Sequence, residues 1–179
     1  MTAFKPTARS KIKRLPERGH YDRKTVYDIL DDGFVCHIGY VIDGQPYATP
    51  TAYWREGDAV YWHGSSKSRM LLALEKEPSI CLTVMHVDGL VVARSGFHKS
   101  INYRSAMLFG KPYRLTEPAE KLEKMERFVE RVYPGRWREL RPVHKQELKA
   151  MSVFGLHIDE AVAKVRSGPP LDDEADYAL

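Results

Sequence analysis

Asp43-Gly44 limits what this chain can fold into more than any other dipeptide in it. An Asp-Gly pair supplies the two positive-φ residues of a type I′ turn, whose twist matches that of the two antiparallel strands it joins. The run before it, Phe34 to Val41, is apolar at both parities, so a strand there is expected to be covered on both faces. The run after it, Gln45 to Trp54, carries Pro46 and Pro50. Each lacks the amide a sheet interior needs, which confines those positions to an edge, a bulge or a strand end.

The same signal recurs at Asp88-Gly89, predicting that a strand over Ser79 to His86 turns there and returns through Leu90 to Arg94. His98 to Arg104, polar and aromatic, reads as loop, and Ser105 to Leu115 as extended again. Arg55-Glu56-Gly57-Asp58 turns the chain into a strand that reaches Tyr61, and Met151 to Ile158 makes a final strand. Helices fall between. Asp22 caps one over about residues 23 to 32, with Val26, Ile29 and Leu30 on one face and Gly33 at its exit. Thr116 caps a longer one carrying Leu122, Met125, Val129 and Val132 on a stripe, ended by Pro134-Gly135; a short piece covers Lys145 to Ala150. Six or seven antiparallel strands with flanking helices make a mainly β, α+β chain, a small closed or split barrel.

The stretch Tyr61 to Leu74 joins a strand to a helix through Gly64 and the serines Ser65, Ser66 and Ser68. Any of the three hydroxyls can cap the helix that opens on Met70, Leu71 and Leu74, before Pro78 stops it. Free first-turn amides favour an anion, and Lys67 and Arg69 add two cations beside them. Two readings stay open on spacing alone: a seat for a phosphate monoester, or a capped surface helix with solvated basic residues.

With 179 residues, 43% apolar and 29% charged, the chain is expected to be one ordinary globular domain. It has no apolar run of membrane-spanning length and no visible signal peptide. Cys36 and Cys81 sit in apolar strand-like runs, which predicts reduced, buried thiols and a cytoplasmic setting. A net charge of +4 is too mild to imply nucleic acid. It is unevenly placed: Lys5, Arg9, Lys11, Lys13, Arg14 and Arg18 crowd the start, and Asp172, Asp173, Glu174 and Asp176 the end. Two solvated tails are the simplest expectation; the functional alternative folds Arg14 and Arg18 back toward a bound phosphate. No G-x-G-x-x-G is present, which argues against a resident dinucleotide in a Rossmann site. Cys36-His37 and Cys81/His86 diverge on their strands, so no metal site is expected. No catalytic triad stands out, and no catalytic residue is assigned.

Four segments together carry a family resemblance: His20-Tyr21-Asp22-Arg23, Gly44 to Pro50, Tyr61 to Leu74 and Ser95 to Ser105. With them the chain, from about Arg14 to Pro170, resembles the pyridoxamine 5'-phosphate oxidase-like family, in the branch related to nitroimidazole reductases. That resemblance implies a six- to seven-stranded antiparallel FMN-binding split β-barrel over 19–166, a basic arm over 1–18 and an acidic tail over 167–179. It implies FMN, with FAD or heme as alternatives, in a homodimer acting on a small molecule, with a nicotinamide nucleotide as a possible electron donor. Matching positions put Ser66, Lys67, Ser68 and Arg69 on the flavin phosphate and Thr49, Pro50 and Thr51 along its ring. Asn102, Tyr103, Arg104 and Ser105 match a segment that reaches the partner's flavin. His63 either touches flavin or substrate or is a structural histidine at a strand end; Trp54, Trp62 and Tyr53 either flank the ring site or, as most strand aromatics do, pack in the core or an interface. Lys164-Val165-Arg166 is either a basic motif near the flavin or a solvated turn after the last strand. The arginine-rich substrate-phosphate segments of true pyridoxamine phosphate oxidases are missing, so vitamin B6 oxidation is not implied. Two function classes remain beside an interaction barrel: a flavin-dependent oxidoreductase, and a flavin- or heme-binding carrier or sensor.

Overall fold

In the computed structural model, which describes residues 3–178, Asp43 and Gly44 take φ 50° and 80°, the type I′ pair the sequence predicts. They join β2 (Val35–Ile42) to β3 (Gln45–Glu56). The remaining strands are β1 (Gly19–His20), β4 (Ala59–Ser65), β5 (Ile80–Val91), β6 (Ser100–Gly110), β7 (Tyr113–Arg114), β8 (Met151–His157) and β9 (Glu160–Arg166). Among the described residues these nine form one antiparallel sheet in the order β1-β9-β6-β5-β2-β3-β4-β8-β7. Seven strands are long; the two-residue β1 and β7 stand at its ends, and the sheet does not close.

Strand β3 carries the split. Gln45 to Ala52 pair with β2, and only Tyr53 to Glu56 pair with β4. Pro46 and Pro50 therefore lie where the far side of β3 is an open edge, and no ladder bond is lost to them. Helices α1 (Arg23–Asp32), α2 (Arg69–Leu74), α3 (Pro118–Val132) and α4 (Lys145–Ala150) flank the sheet. Asp22 caps α1 by accepting from the Thr25 amide at 2.8 Å. No helix among the described residues is long and apolar enough to cross a membrane.

Several expectations fail, each for a local reason. Asp88-Gly89 is no hairpin: β5 runs through it, pairing Val87 with Tyr103 and Gly89 with Asn102, so that Asp88 bulges out. The reversal comes later, between Val91 and Ser100, and the expected loop over His98 to Arg104 is mostly the start of β6. Thr116 does not cap α3. Glu117 takes that position, ahead of Pro118, whose missing amide costs nothing at a first helical residue. Strand β8 is not the last, because β9 follows it and holds Lys164, Val165 and Arg166 in the sheet between β1 and β6 rather than in a turn. Strand β2 is not covered on both faces: Cys36, Ile38 and Tyr40 are buried, while Phe34, Val35 and Val41 are 57%, 46% and 44% exposed.

The main core lies on the inner side of the sheet, where Trp62 stacks on Phe154 among Ile38, Leu82, Leu108 and Leu156. A smaller core fills the space between the sheet and α3, from Trp54, Tyr61, Leu115 and Val153 with Met125 and Phe128 packed on it. Strand β4 serves both, its alternate residues facing opposite sides. The N-terminal segment is pinned down rather than loose: Phe4 is buried, its amide donates to Tyr21 O, and the Arg9 guanidinium pairs with Glu160 and lies 5.2 Å from the Phe109 ring.

Candidate functional site

Where β4 ends, the backbone tightens by its own bonds. The Ser68 amide donates to Ser65 O at 2.8 Å, and the Lys67 amide to Ser65 Oγ at 3.2 Å. The Ser66 amide donates to Ala150 O, which ties the turn to the end of α4. Ser68 occupies the N-cap of α2, but its hydroxyl bonds no first-turn amide, so the expected capping is absent there. Gly64 belongs to the strand, not the turn. A Cβ on it would sit 3.1 Å from Leu71 Cδ1, so its smallness lets α2 press Met70, Leu71 and Leu74 into the core.

That packing presents Lys67 and Arg69 to a cavity of about 610 Å³ lined also by Val41, Ile42, Asp43 and Leu72. The Arg69 guanidinium lies 4.6 Å above the Tyr47 ring, a stacking that fixes a planar cation at modest cost. Tyr47 stacks in turn on Tyr40 at 5.5 Å, and the Tyr40 and Thr49 hydroxyls share a hydrogen bond of 3.1 Å. Thr49 and Thr51 point to the same side of β3 as Tyr47, opposite Ile38 and Cys36, while Pro50 faces the exposed side with His37. The turn and the first half of β3 are thus brought together. Tyr40 and Tyr47 were not singled out from sequence, though counting outward from Asp43-Gly44 makes them a facing pair.

His63 sits on the α3 side of β4, its ring 5.0 Å from Phe128 and 6.2 Å from Trp54. Its Nδ1 is buried and, among the described residues, has no hydrogen-bond partner; the same holds for Nε1 of the fully buried Trp62. Burial lowers the pKa of His63, because the charged ring loses water and gains no compensating partner, so at neutral pH the ring is neutral.

Asn102, Tyr103, Arg104 and Ser105 form a second group on β6, with β5 and β2 standing between them and β3. Arg104 grips the Asp88 carboxylate with two nitrogens and also bonds Asp32, and these bonds raise its pKa further. Asn102 donates to Gly168 O at 3.0 Å and accepts from Arg166, and Ser105 Oγ donates to Lys164 O. Lys164 and Arg166 stand directly across from Ser105 and Tyr103. Within one subunit the predicted site residues therefore make two separate clusters. Arg14 and Arg18 lie with the second, the Arg14 carbonyl accepting from Lys164.

No group of three His, Cys, Asp or Glu that could hold a metal ion exists among the described residues. Cys36 is buried, which pushes its thiol up to about 12, and His37 points away from it to the exposed face.

Comparisons with known proteins bear on this arrangement. A family model described as pyridoxamine 5'-phosphate oxidase matches residues 22–165. The flavocytochrome Anf3 from Azotobacter vinelandii is 49% identical with a TM-score of 0.92, covering 98% of this chain and 82% of its own. An FAD- and heme-binding protein from Mycobacterium smegmatis is 35% identical with a TM-score of 0.85, covering 90% of this chain and 79% of its own. A proposed 5-nitroimidazole antibiotic resistance protein from Bacteroides thetaiotaomicron shares the fold, at 20% identity and a TM-score of 0.68 over 82% of this chain and 86% of its own. Among curated proteins no match is found.

Proposed function

The chain belongs to the pyridoxamine 5'-phosphate oxidase family, and from that premise we propose that it is a flavin-binding redox protein. The observation that carries the reading is the convergence of Lys67 and Arg69 on one cavity beside the turn, with Arg69 held flat on Tyr47. A phosphate ester there would meet the two cations and the hydroxyls of Ser66 and Ser68. Thr49 and Thr51 would lie along the flavin ring. A bound flavin supplies the electron chemistry; the protein's part is to orient it and to set its surroundings.

Two relatives above 30% identity, a flavocytochrome and an FAD- and heme-binding protein, favour FAD with a heme over FMN alone. Of its histidines, we propose His63 as the heme ligand. It is neutral at pH 7, as a ligating imidazole must be, and lies beside the apolar rings of Trp54 and Phe128. Absorbance of the purified protein tests both parts: a flavin band near about 450 nm, and a heme band near about 400 nm lost in His63→Ala while the flavin band stays. Protein with neither band, after loading with both cofactors, would end the reading. If it does not turn over, a reduced nicotinamide nucleotide mixed with it anaerobically leaves the flavin oxidised, and a carrier or sensor remains.

The working form is a homodimer. Val35, Val41, Met85 and Val87 leave one side of β2 and β5 apolar and 44–62% exposed, cover that a second copy supplies. Such a pairing would also give the β6 group a route to a flavin, that of the partner subunit. Asn102 and Arg104 would then act mainly by holding Tyr103 and Ser105 in place, because their own polar groups are already engaged.

A further inference from the structure

A second cavity, of about 460 Å³, lies between the start of α3 and α4, lined by Arg114, Thr116, Pro118, Lys121, Lys145, Leu148 and Lys149. It shares no lining residue with the cavity at Lys67 and Arg69. Four of its seven lining residues are cations and none is an acid. Lys145 and Lys149 stand one turn apart on the same face of α4, an arrangement of like charges that a helix does not favour on its own account. Glu147, the acid of α4, points elsewhere: it bonds Arg141 and the His144 amide. Among the described residues Arg114 alone of the four pairs with an acid, Glu75.

Lys121 is the unusual member. It is 8% exposed, and its ammonium donates to the carbonyls of Leu148 and Met151, leaving a third proton. Loss of water, with Arg114 nearby, lowers its pKa, so positive charge here is under-compensated. Three lysines beside a neutralised arginine give the lining residues a charge near +3; the Thr116 hydroxyl at the rim is turned to the Glu117 carboxylate. A single carboxylate would leave most of that charge unmet, whereas a pyrophosphate or a nucleotide phosphate carries the matching number. The volume suits a small molecule rather than a peptide, which would need an extended groove.

We propose that this cleft binds a phosphate-bearing small molecule, at a site separate from the flavin phosphate. Leu148 and the ring of Pro118 give it an apolar wall, which fits a nucleotide, though free pyrophosphate offers the same charged chemistry.

Calorimetric titration of the flavin-loaded protein with pyrophosphate, ADP and adenosine tests it. Pyrophosphate and ADP should bind and adenosine should not; ADP binding tighter than pyrophosphate assigns a nucleotide, and equal affinity a free phosphate species. The double variant Lys145→Ala/Lys149→Ala should weaken binding at least tenfold, with the flavin band and Tm unchanged. Both residues are surface positions on α4, so folding is not in question. No binding of either phosphate probe, or binding that the variant leaves intact, overturns the proposal. So does a variant that loses flavin along with pyrophosphate, since the cleft would then be part of the cofactor site. If the protein holds no flavin at all, the same titration on the unloaded chain still decides the matter, and the missing band separately marks the failure of the flavin reading.

Discussion

Tyr113 and Gly155 show how closely single residues are fitted. They face each other across the β7–β8 ladder, and a Cβ at 155 would fall 2.4 Å from Tyr113 Cζ. Because the ring is also stacked on His157 and bonded to the Tyr61 hydroxyl, it cannot swing away freely. Gly155→Ala should cost about 1–3 kcal/mol, in the range of an overpacked core, and Tyr113→Leu should recover much of it; melts of the single and double variants check the coupling. His63 predicts a pH effect. Its folded pKa is depressed, so the unfolded chain takes up the proton first as pH falls through about 6.5. Stability is then lost on acidification and regained above that pH, and His63→Gln should flatten the part of the Tm–pH curve between pH 5 and 7. At the phosphate turn, Lys67→Ala and Arg69→Ala should each weaken binding of a phosphorylated flavin by one to two decades, the worth of a charge-assisted bond of roughly 1.5–3 kcal/mol. Riboflavin should be indifferent to both; equal losses for the two ligands would place these residues away from the phosphate. That these two cations stand beside one turn was legible because turn chemistry is local. The engagement of Arg104 was not, since Asp88 and Asp32 reach it only through a bulge and a helix end far away in sequence.

At the scale of elements, the α3–α4 junction hangs on Lys121. Replacing it by Met keeps the stem but strands the Leu148 and Met151 carbonyls, each an unmet acceptor at about 1–3 kcal/mol. Hydrogen exchange in Lys121→Met should quicken across Lys145 to Ala150 before it does in β8; uniform quickening would make the loss global instead. The two Asp-Gly pairs teach what a local signal is worth. At Asp43-Gly44 the runs on both sides are strands of one ladder, so the turn formed as read. At Asp88-Gly89 the same dipeptide was absorbed into a longer strand, because β6 offers partners to both its flanks and one extra residue is cheaply bulged. Polar, aromatic residues from Ser100 to Ser105 gave no strand pattern on their own. They became one between β5 and β9; β9 itself, Glu160–Arg166, is short and rich in alanine, and its pairing with β6 and β1 makes it a strand. Pairing partners distant in sequence decided what propensity left undetermined.

For the whole molecule, the split-barrel architecture was readable from hairpins and breakers, but its open faces were not. The apolar pattern of β2 announced that both faces need cover, and one chain covers only one of them. Val41→Asp with Val87→Asp should therefore turn a dimer into a monomer in sedimentation without unfolding it; a variant that stays dimeric would move the interface elsewhere. If the β6 group completes the partner's flavin site as proposed, flavin added to dilute wild type should shift it toward dimer by mass action. The sheet order has a last consequence, in the time course of synthesis. Among the described residues strand β1 pairs only with β9, which is made much later, and Arg9 waits for Glu160. A ribosome adds roughly 5–20 residues per second. For some seconds after β2 to β6 have left the tunnel, Gly19 and His20 lack their strand partner and Arg9 its acid, while Phe4 already has Tyr21, Arg23 and Tyr27 to pack on. Stalled chains ending before Glu160 should be clipped near their N-terminus by a protease that leaves the released protein whole.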